Sequence, residues 1–184
     1  MICHLVRHGQ DDDSVRGGWG DTSLTAEGIS QVVRLGERFA SLAGAPIGCI
    51  YTSDLRRARQ TADILSEYLS IPVVELSEFR ETNNGVLAGM KNDVADKQYP
   101  GLYWSTFEWD EHYPGGESPH DFFNRISKAW INFKSQVRNL NFDVILVTHG
   151  GVLNVIQSIE NNVQYSNRVN PYPVANGEMV SLII

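Results

Sequence analysis

Two histidines close apolar runs, and each is followed by glycine. His8 ends Leu5-Val6-Arg7-His8-Gly9, and His149 follows Asp143–Thr148 and precedes Gly150-Gly151. An imidazole at a strand end can face a crevice, and glycine behind it lets the backbone approach a ligand closely. Arg7 adds a permanent planar cation suited to phosphate or carboxylate. Gly150 and Gly151 open a helix, whose free N–H groups and partial positive charge favour an anion. Arg56 and Arg57 stand at the start of another helix, where the dipole disfavours cations, so they either face solvent or serve an anion. Glu81, in Phe79-Arg80-Glu81-Thr82-Asn83-Asn84-Gly85, is a loop carboxylate that gains interest only from the set. Such a set suits phosphoryl transfer. One histidine attacks phosphorus, the cations and the other imidazole hold the equatorial oxygens, and a carboxylic acid protonates the leaving oxygen and then activates water. Cations in these numbers remove the need for a metal ion. Asp11, Asp12 and Asp13 are adjacent in sequence and converge poorly on one ion, so they read as a solvated loop.

The elements that must position these groups alternate. Residues 2–6, 47–52, 73–76, 143–148 and 179–184 read as strands, and 143–148 is apolar throughout, as in the middle of a parallel sheet. Between them, Ile29, Val32, Val33 and Phe39 recur at helical spacing behind a Thr25 cap, and Ala58, Ala62, Leu65 and Leu69 do so behind Ser53 or Asp54. Ser118-Pro119-His120-Asp121 is a helix start with a capping serine, an N-terminal proline and an acid three residues on. Phe122, Ile126, Trp130, Phe133 and Val137 form its stripe. The alternation predicts a three-layer α/β/α sandwich with a mainly parallel central sheet, in which ligands bind beyond the carboxyl ends of the strands.

The 184 residues fit one domain, 1–184, with residues 77–117 as a lid-like insertion rich in glycine, asparagine and aromatics. The formal charge of −7 argues against nucleic-acid or anionic-membrane partners. No apolar run is long enough to span a membrane. The opening MICHLVRHG is too soon polar for a signal peptide, so the cytoplasm is expected. Cys3 and Cys49 lie in strand-like runs and read as buried reduced thiols. Oligomeric state has no signature.

With these motifs in order, the chain resembles the histidine phosphatase superfamily, the phosphoglycerate mutase-like fold, over nearly its whole length. LVRHGQ resembles the opening strand and RHG signature of that family. DTSLTAEG with Gln31, TSDLRRARQTA, FRETNNGVLAG, PGGES and VTHGGVL resemble five further signatures. The resemblance implies a phosphohistidine on His8, with Arg7, Arg57 and His149 holding the phosphoryl group, Glu81 as general acid and base, and no metal or other cofactor. It selects Arg57 over Arg56, because the functional arginine directly precedes alanine. Gln10, Ser14 and Gly150 are expected to touch substrate. Ser14 stands where the family usually has asparagine, so loop contacts to substrate are expected to differ. Residues 90–117 carry only Lys91 and Lys97 as cations, among Tyr99, Tyr103, Trp104, Phe107, Trp109 and Tyr113. That favours a phosphatase for a small phosphorylated metabolite over a bisphosphate-dependent phosphoglycerate mutase. A catalytically idle phospho-ligand-binding module is the reading from another class. The aromatics either line a site for the organic body of the substrate or pack the lid into the fold. The acidic run and lid are expected to admit monophosphates and penalise bisphosphates.

Overall fold

The computed structural model describes residues 1–42, 44 and 46–184. Five strands form one sheet: β1 (Ile2–Arg7), β2 (Ile47–Thr52), β3 (Val73–Glu75), β4 (Asp143–Thr148) and β5 (Met179–Ile183). Their spatial order is β3-β2-β4-β1-β5, parallel except for β5, which runs antiparallel at one edge. Helices α1 (Ala26–Ser41) and α2 (Arg56–Leu69) cover the face that carries Val6, Ile50, Ile145 and Val147. Helices α4 (Pro119–Val137) and α5 (Gly150–Glu160) cover the face that carries Cys3, Leu5, Val144 and Leu146. The expected three-layer α/β/α sandwich is the fold observed. Cys3 and Cys49 are buried free thiols. No helix among the described residues is long and apolar enough to cross a membrane.

Helix starts follow local chemistry where their side chains are free. Thr25 Oγ1 accepts from Gly28 N at 3.0 Å and caps α1. Ser118 Oγ accepts from Asp121 N at 3.1 Å, and Asp121 returns the bond to Ser118 N. Helix α2 starts later than its sequence suggests, at Arg56, with Leu55 as an N-cap lacking a side-chain bond. The expected caps are engaged elsewhere: the Ser53 hydroxyl faces His149, and Arg80 Nε donates to Asp54 Oδ1 at 2.7 Å.

Helix α1 also sits rotated from the expected stripe. Val32, Leu35 and Phe39 are buried, but Ile29 is 46% exposed. Gly28 explains the rotation. Its backbone lies against Gln10, where any Cβ would collide with the Gln10 carbonyl, and a Cβ on Gly9 would sit 2.5 Å from the Gly28 oxygen. The exit of β1 and the first turn of α1 are thus interlocked through two bare backbones.

Residues 77–117 hold three 3-10 turns and the short helix α3 (Asn92–Gln98). Leu87, Ala95, Phe107 and Tyr113 form a separate small core there, with Leu102 and Trp104 against it. Packing therefore accounts for Phe107, which is fully buried, whereas Trp104 and Tyr113 also face a cavity.

Candidate active site

β1 and β4 are neighbours in register, with Arg7 opposite Thr148. His8 and His149 therefore leave the sheet side by side, their ring centroids 5.1 Å apart. Ser53 N donates to Val147 O at 3.0 Å, which brings the end of β2 to the same line. The helix after β1 lies on one face of the sheet and the helix after β4 on the other, so a crevice opens between them.

His8 is buried, and its ring has a defined tautomer. Nδ1 lies 2.8 Å from the Gly9 carbonyl, which can only accept, so Nδ1 carries the proton. Nε2 keeps its lone pair, toward which Arg57 Nε donates at 3.2 Å. Burial and then Arg57 push the His8 pKa down to about 3; the Gly9 bond opposes them, and Arg7 adds a smaller push down. The neutral, nucleophilic form is thus the resting form at physiological pH.

His149 Nε2 lies 2.9 Å from Ser53 Oγ, which also accepts from Leu55 N at 3.4 Å. A hydroxyl can donate or accept, so Ser53 orients the His149 ring through Nε2 in either tautomer. The ring's Nδ1 is buried without a partner. Burial, followed by Arg57, His8, Arg125 and Arg7, holds His149 well below the usual imidazole range.

Arg7 Nη1 donates to Val174 O at 2.9 Å, and its Nε is buried without a partner. The guanidinium lies along Gly150, where a Cβ would come within 3.5 Å of Arg7 Cζ. Arg57 is 2% exposed and donates to Gly18 O at 2.7 Å and to Gly20 O at 3.0 Å. Arg56 instead points outward and pairs with Asp21. Glu81 sits on the end of α5: Oε2 accepts from Gly151 N and Oε1 from Thr82 N, both at 3.0 Å. Gly151 leaves the carboxylate the space that a Cβ would fill. The Glu81 carbonyl is held by Trp19 Nε1 at 2.7 Å and Arg125 Nη2 at 3.0 Å. Arg125 also donates to Arg80 O and pairs with Glu117 at 2.6 Å, so one partly buried cation clamps the whole loop.

Arg7, His8, Arg57, Glu81, His149 and Gly150 therefore meet at one crevice. Two further residues expected to touch substrate make bonds within the protein. Gln10 Oε1 accepts from Thr25 Oγ1 at 3.2 Å, and Ser14 is exposed, with its carbonyl accepting from Asn92 N at 3.0 Å. The acidic run also departs from a solvated loop. Asp12 and Asp13 are exposed, but Asp11 turns in to accept from Thr22 Oγ1 at 2.7 Å and lies 3.5 Å from Arg57 Nε.

Ser53, Asp11, Trp19, Arg125 and Arg16 are site neighbours that sequence reasoning passed over. Arg16 carried a signal, being the one cation between Gly9 and Leu24. It lines a cavity of about 270 Å³ with Glu81, Gly151, Trp104 and Tyr113. A larger cavity of about 710 Å³, between Trp109, Phe123 and Tyr165, holds none of the crevice groups.

Two buried neutral histidines make folding stability depend on pH. Below pH ~6.5 an unfolded imidazole binds a proton that His8 and His149 refuse when folded, so acid favours unfolding. Stability is expected to fall from pH 7 toward pH 5, by up to roughly 1.4 kcal/mol per pH unit for each group. Urea midpoints across this range check it; a flat profile would contradict the burial of neutral rings.

A family model described as histidine phosphatase superfamily (branch 1) matches residues 3–182. An uncharacterised phosphatase, PhoE, of Bacillus subtilis (strain 168) is 30% identical over 158 residues, covering 84% of this chain and 74% of the relative. A 2,3-bisphosphoglycerate-dependent phosphoglycerate mutase of Bartonella bacilliformis is 28% identical over 165 residues, covering 83% and 77%. Among solved structures, a mycobacterial glucosyl-3-phosphoglycerate phosphatase superposes with a TM-score of 0.78 at 26% identity, covering 99% of this chain and 89% of that one.

Proposed function

The chain belongs to the histidine phosphatase superfamily (branch 1), and from that membership we propose that it is a metal-independent phosphomonoesterase that works through a phosphohistidine on His8. The observation that carries the reading is the ring of His8: a buried neutral imidazole whose Nδ1–H is tied to Gly9 O, leaving Nε2 as the nucleophile. Beside it, Arg7 Nε and His149 Nδ1 are buried without partners, as donors awaiting phosphoryl oxygens would be.

In the first step the Nε2 lone pair forms the N–P bond while the ester P–O bond breaks. Glu81, in its protonated form, gives the leaving oxygen its proton. Arg57, which points at Nε2 at rest, transfers its hydrogen bond to a phosphoryl oxygen. In the second step the Glu81 carboxylate takes a proton from water as that water attacks phosphorus. The N–P bond breaks, its electrons return to Nε2, and inorganic phosphate leaves. The Gly150 N–H, at the start of α5, adds a donor on the anion side.

A monoesterase is favoured over a mutase by the scarcity of further cations in the cavity beside Glu81. Arg16 is the sole Lys or Arg among the described residues lining the Glu81 cavity, which suits one phosphate rather than two. Incubation with 3-phosphoglycerate is expected to release inorganic phosphate without accumulation of the 2-isomer, and EDTA is expected to leave turnover of p-nitrophenyl phosphate intact. Isomerisation without phosphate release would support the mutase. Loss of activity in EDTA that Mg²⁺ restores would overturn the metal-free mechanism. No turnover on any phosphoester would favour a binding module.

A further inference from the structure

Asp11 enters the crevice from the loop after β1, and no step of the proposed reaction uses it. Its backbone is fixed by the bridge to Leu24. Its side chain is fixed by Thr22, whose Oγ1 donates to Oδ2 at 2.7 Å and receives Arg57 Nη1–H at 3.3 Å. A threonine hydroxyl has one proton, so the chain from Arg57 through Thr22 runs one way and ends on the carboxylate. Oδ2 also lies 3.5 Å from Arg57 Nε, which makes Asp11 a counter-ion of that arginine. Oδ1 is placed differently. It lies 4.0 Å from His8 Nδ1 and accepts no hydrogen bond among the described residues. The Nδ1 proton already goes to Gly9 O at 2.8 Å, so this approach is one of charge and not a second bond.

The resting ring gives Oδ1 nothing to answer, because it is neutral. Attack on phosphorus changes that. The Nε2 lone pair becomes the N–P bond, the ester P–O pair leaves with the oxygen that Glu81 protonates, and Nδ1 keeps its proton. The ring then carries a full positive charge. At the same time the bound phosphoryl group offsets Arg57 and Arg7, the two cations that, after burial, hold the resting ring neutral. The charged groups around the ring are then Arg7 from β1, Arg57 from α2, Glu81 from the loop after β3, and Asp11. His149, at the start of α5, stays neutral. Glu81 has both oxygens on backbone N–H groups, whereas Asp11 has one oxygen turned toward the ring.

We propose that Asp11 is the counter-ion of the phosphorylated His8 ring: a positioning residue that acts through His8, lowering the barrier to N–P formation and keeping the proton on Nδ1 of the phosphohistidine. This rests on the phosphohistidine reading above. The retained proton matters for the second step. With it, water displaces a neutral imidazole from phosphorus; without it, the leaving group is an imidazolide anion, which leaves far less readily.

Asp11→Asn tests this, since it removes the charge and keeps an oxygen for Thr22. Asp13→Asn, exposed on the same loop, changes the net charge equally and serves as control. Each protein is mixed rapidly with p-nitrophenyl phosphate, the phosphoenzyme is trapped in alkali, and its hydrolysis is followed from about pH 6 to about pH 10. An opposite charge within ~4–6 Å moves a titration by about one unit or more. In Asp11→Asn the alkaline limb of hydrolysis, where Nδ1 loses its proton, is therefore expected about one pH unit below that of wild type. The nitrophenol burst is expected to slow by about threefold or more, a fraction of the tenfold that one unit represents. Asp13→Asn is expected to leave both unchanged. The limb is a position on the pH axis, so a smaller active fraction does not move it, and Asp11→Ser, uncharged and smaller, is expected to share the shift. A limb that stays in place, or moves equally in Asp13→Asn, overturns the role of Asp11 and leaves the phosphohistidine standing. A rate loss equal at every pH marks a packing role and overturns it too. Absence of a trapped phosphoenzyme in wild type overturns both readings together.

Discussion

His8→Ala is expected to lower kcat for p-nitrophenyl phosphate by roughly 10⁴-fold or more, the scale on which loss of a covalent nucleophile is felt. Nothing else in the crevice can replace it. His149 is the nearest imidazole, but its Nε2 is engaged with the Ser53 hydroxyl. Glu81 has both oxygens bonded to backbone N–H groups. The fold is expected to survive, because the strand pairing of β1 ends at Arg7, one residue earlier. Residual activity within about tenfold of wild type would refute a phosphohistidine on His8. Quenching wild type in alkali during turnover of labelled substrate should trap an acid-labile phosphoenzyme that the variant lacks.

A different kinetic pattern is expected of Glu81→Gln. The glutamine oxygen can still accept from Gly151 N, though its NH2 cannot accept from Thr82 N as the second carboxylate oxygen does, and the amide can neither give nor take the proton. Loss of a positioned general acid typically costs about 10²–10⁴-fold, and that loss should appear in full with alkyl phosphates. p-Nitrophenolate leaves readily without a proton, so the first step with its ester is largely spared while water activation is not. A burst of up to one nitrophenol per chain should then precede a slow steady state. Equal losses for both ester types and no burst would remove Glu81 from the proton-transfer role. The missing charge at the start of α5 is also expected to cost roughly 0.3–1 kcal/mol in stability, readable as a small drop in unfolding midpoint.

The parts of this architecture legible in the sequence are those written in short segments. Two strand ends carrying His-Gly, the Ser118–Asp121 cap and the apolar run of β4 each state their structure within a few residues. The resemblance separated Arg57 from Arg56, and burial separates them in the structure too. What escaped depends on partners distant in the chain. Ser53 looks like a helix cap until His149, 96 residues on, faces its hydroxyl. Asp11 looks like one of three solvated acids until Thr22 and Arg57 draw it inward. Gln10 is pulled toward Thr25 because Gly28 packs on its backbone. Trp19 fastens the Glu81 carbonyl across 62 residues, a contact for which periodicity and composition carry no trace.

The interlock of Gly9 with Gly28 bears on how such a chain can vary over time. Neither position performs chemistry, yet each is barred from gaining even a methyl group by the backbone of the other's neighbourhood. A change at one cannot be rescued by shrinking the other, since both are already at minimum size. Relief would need the whole helix to slide, and Leu35 and Phe39 would leave the core with it. The two glycines therefore form a fixed pair in any lineage that keeps this sheet-to-helix join. Drift is far freer at the exposed positions Asp12, Asp13 and Ser14 in the loop between them.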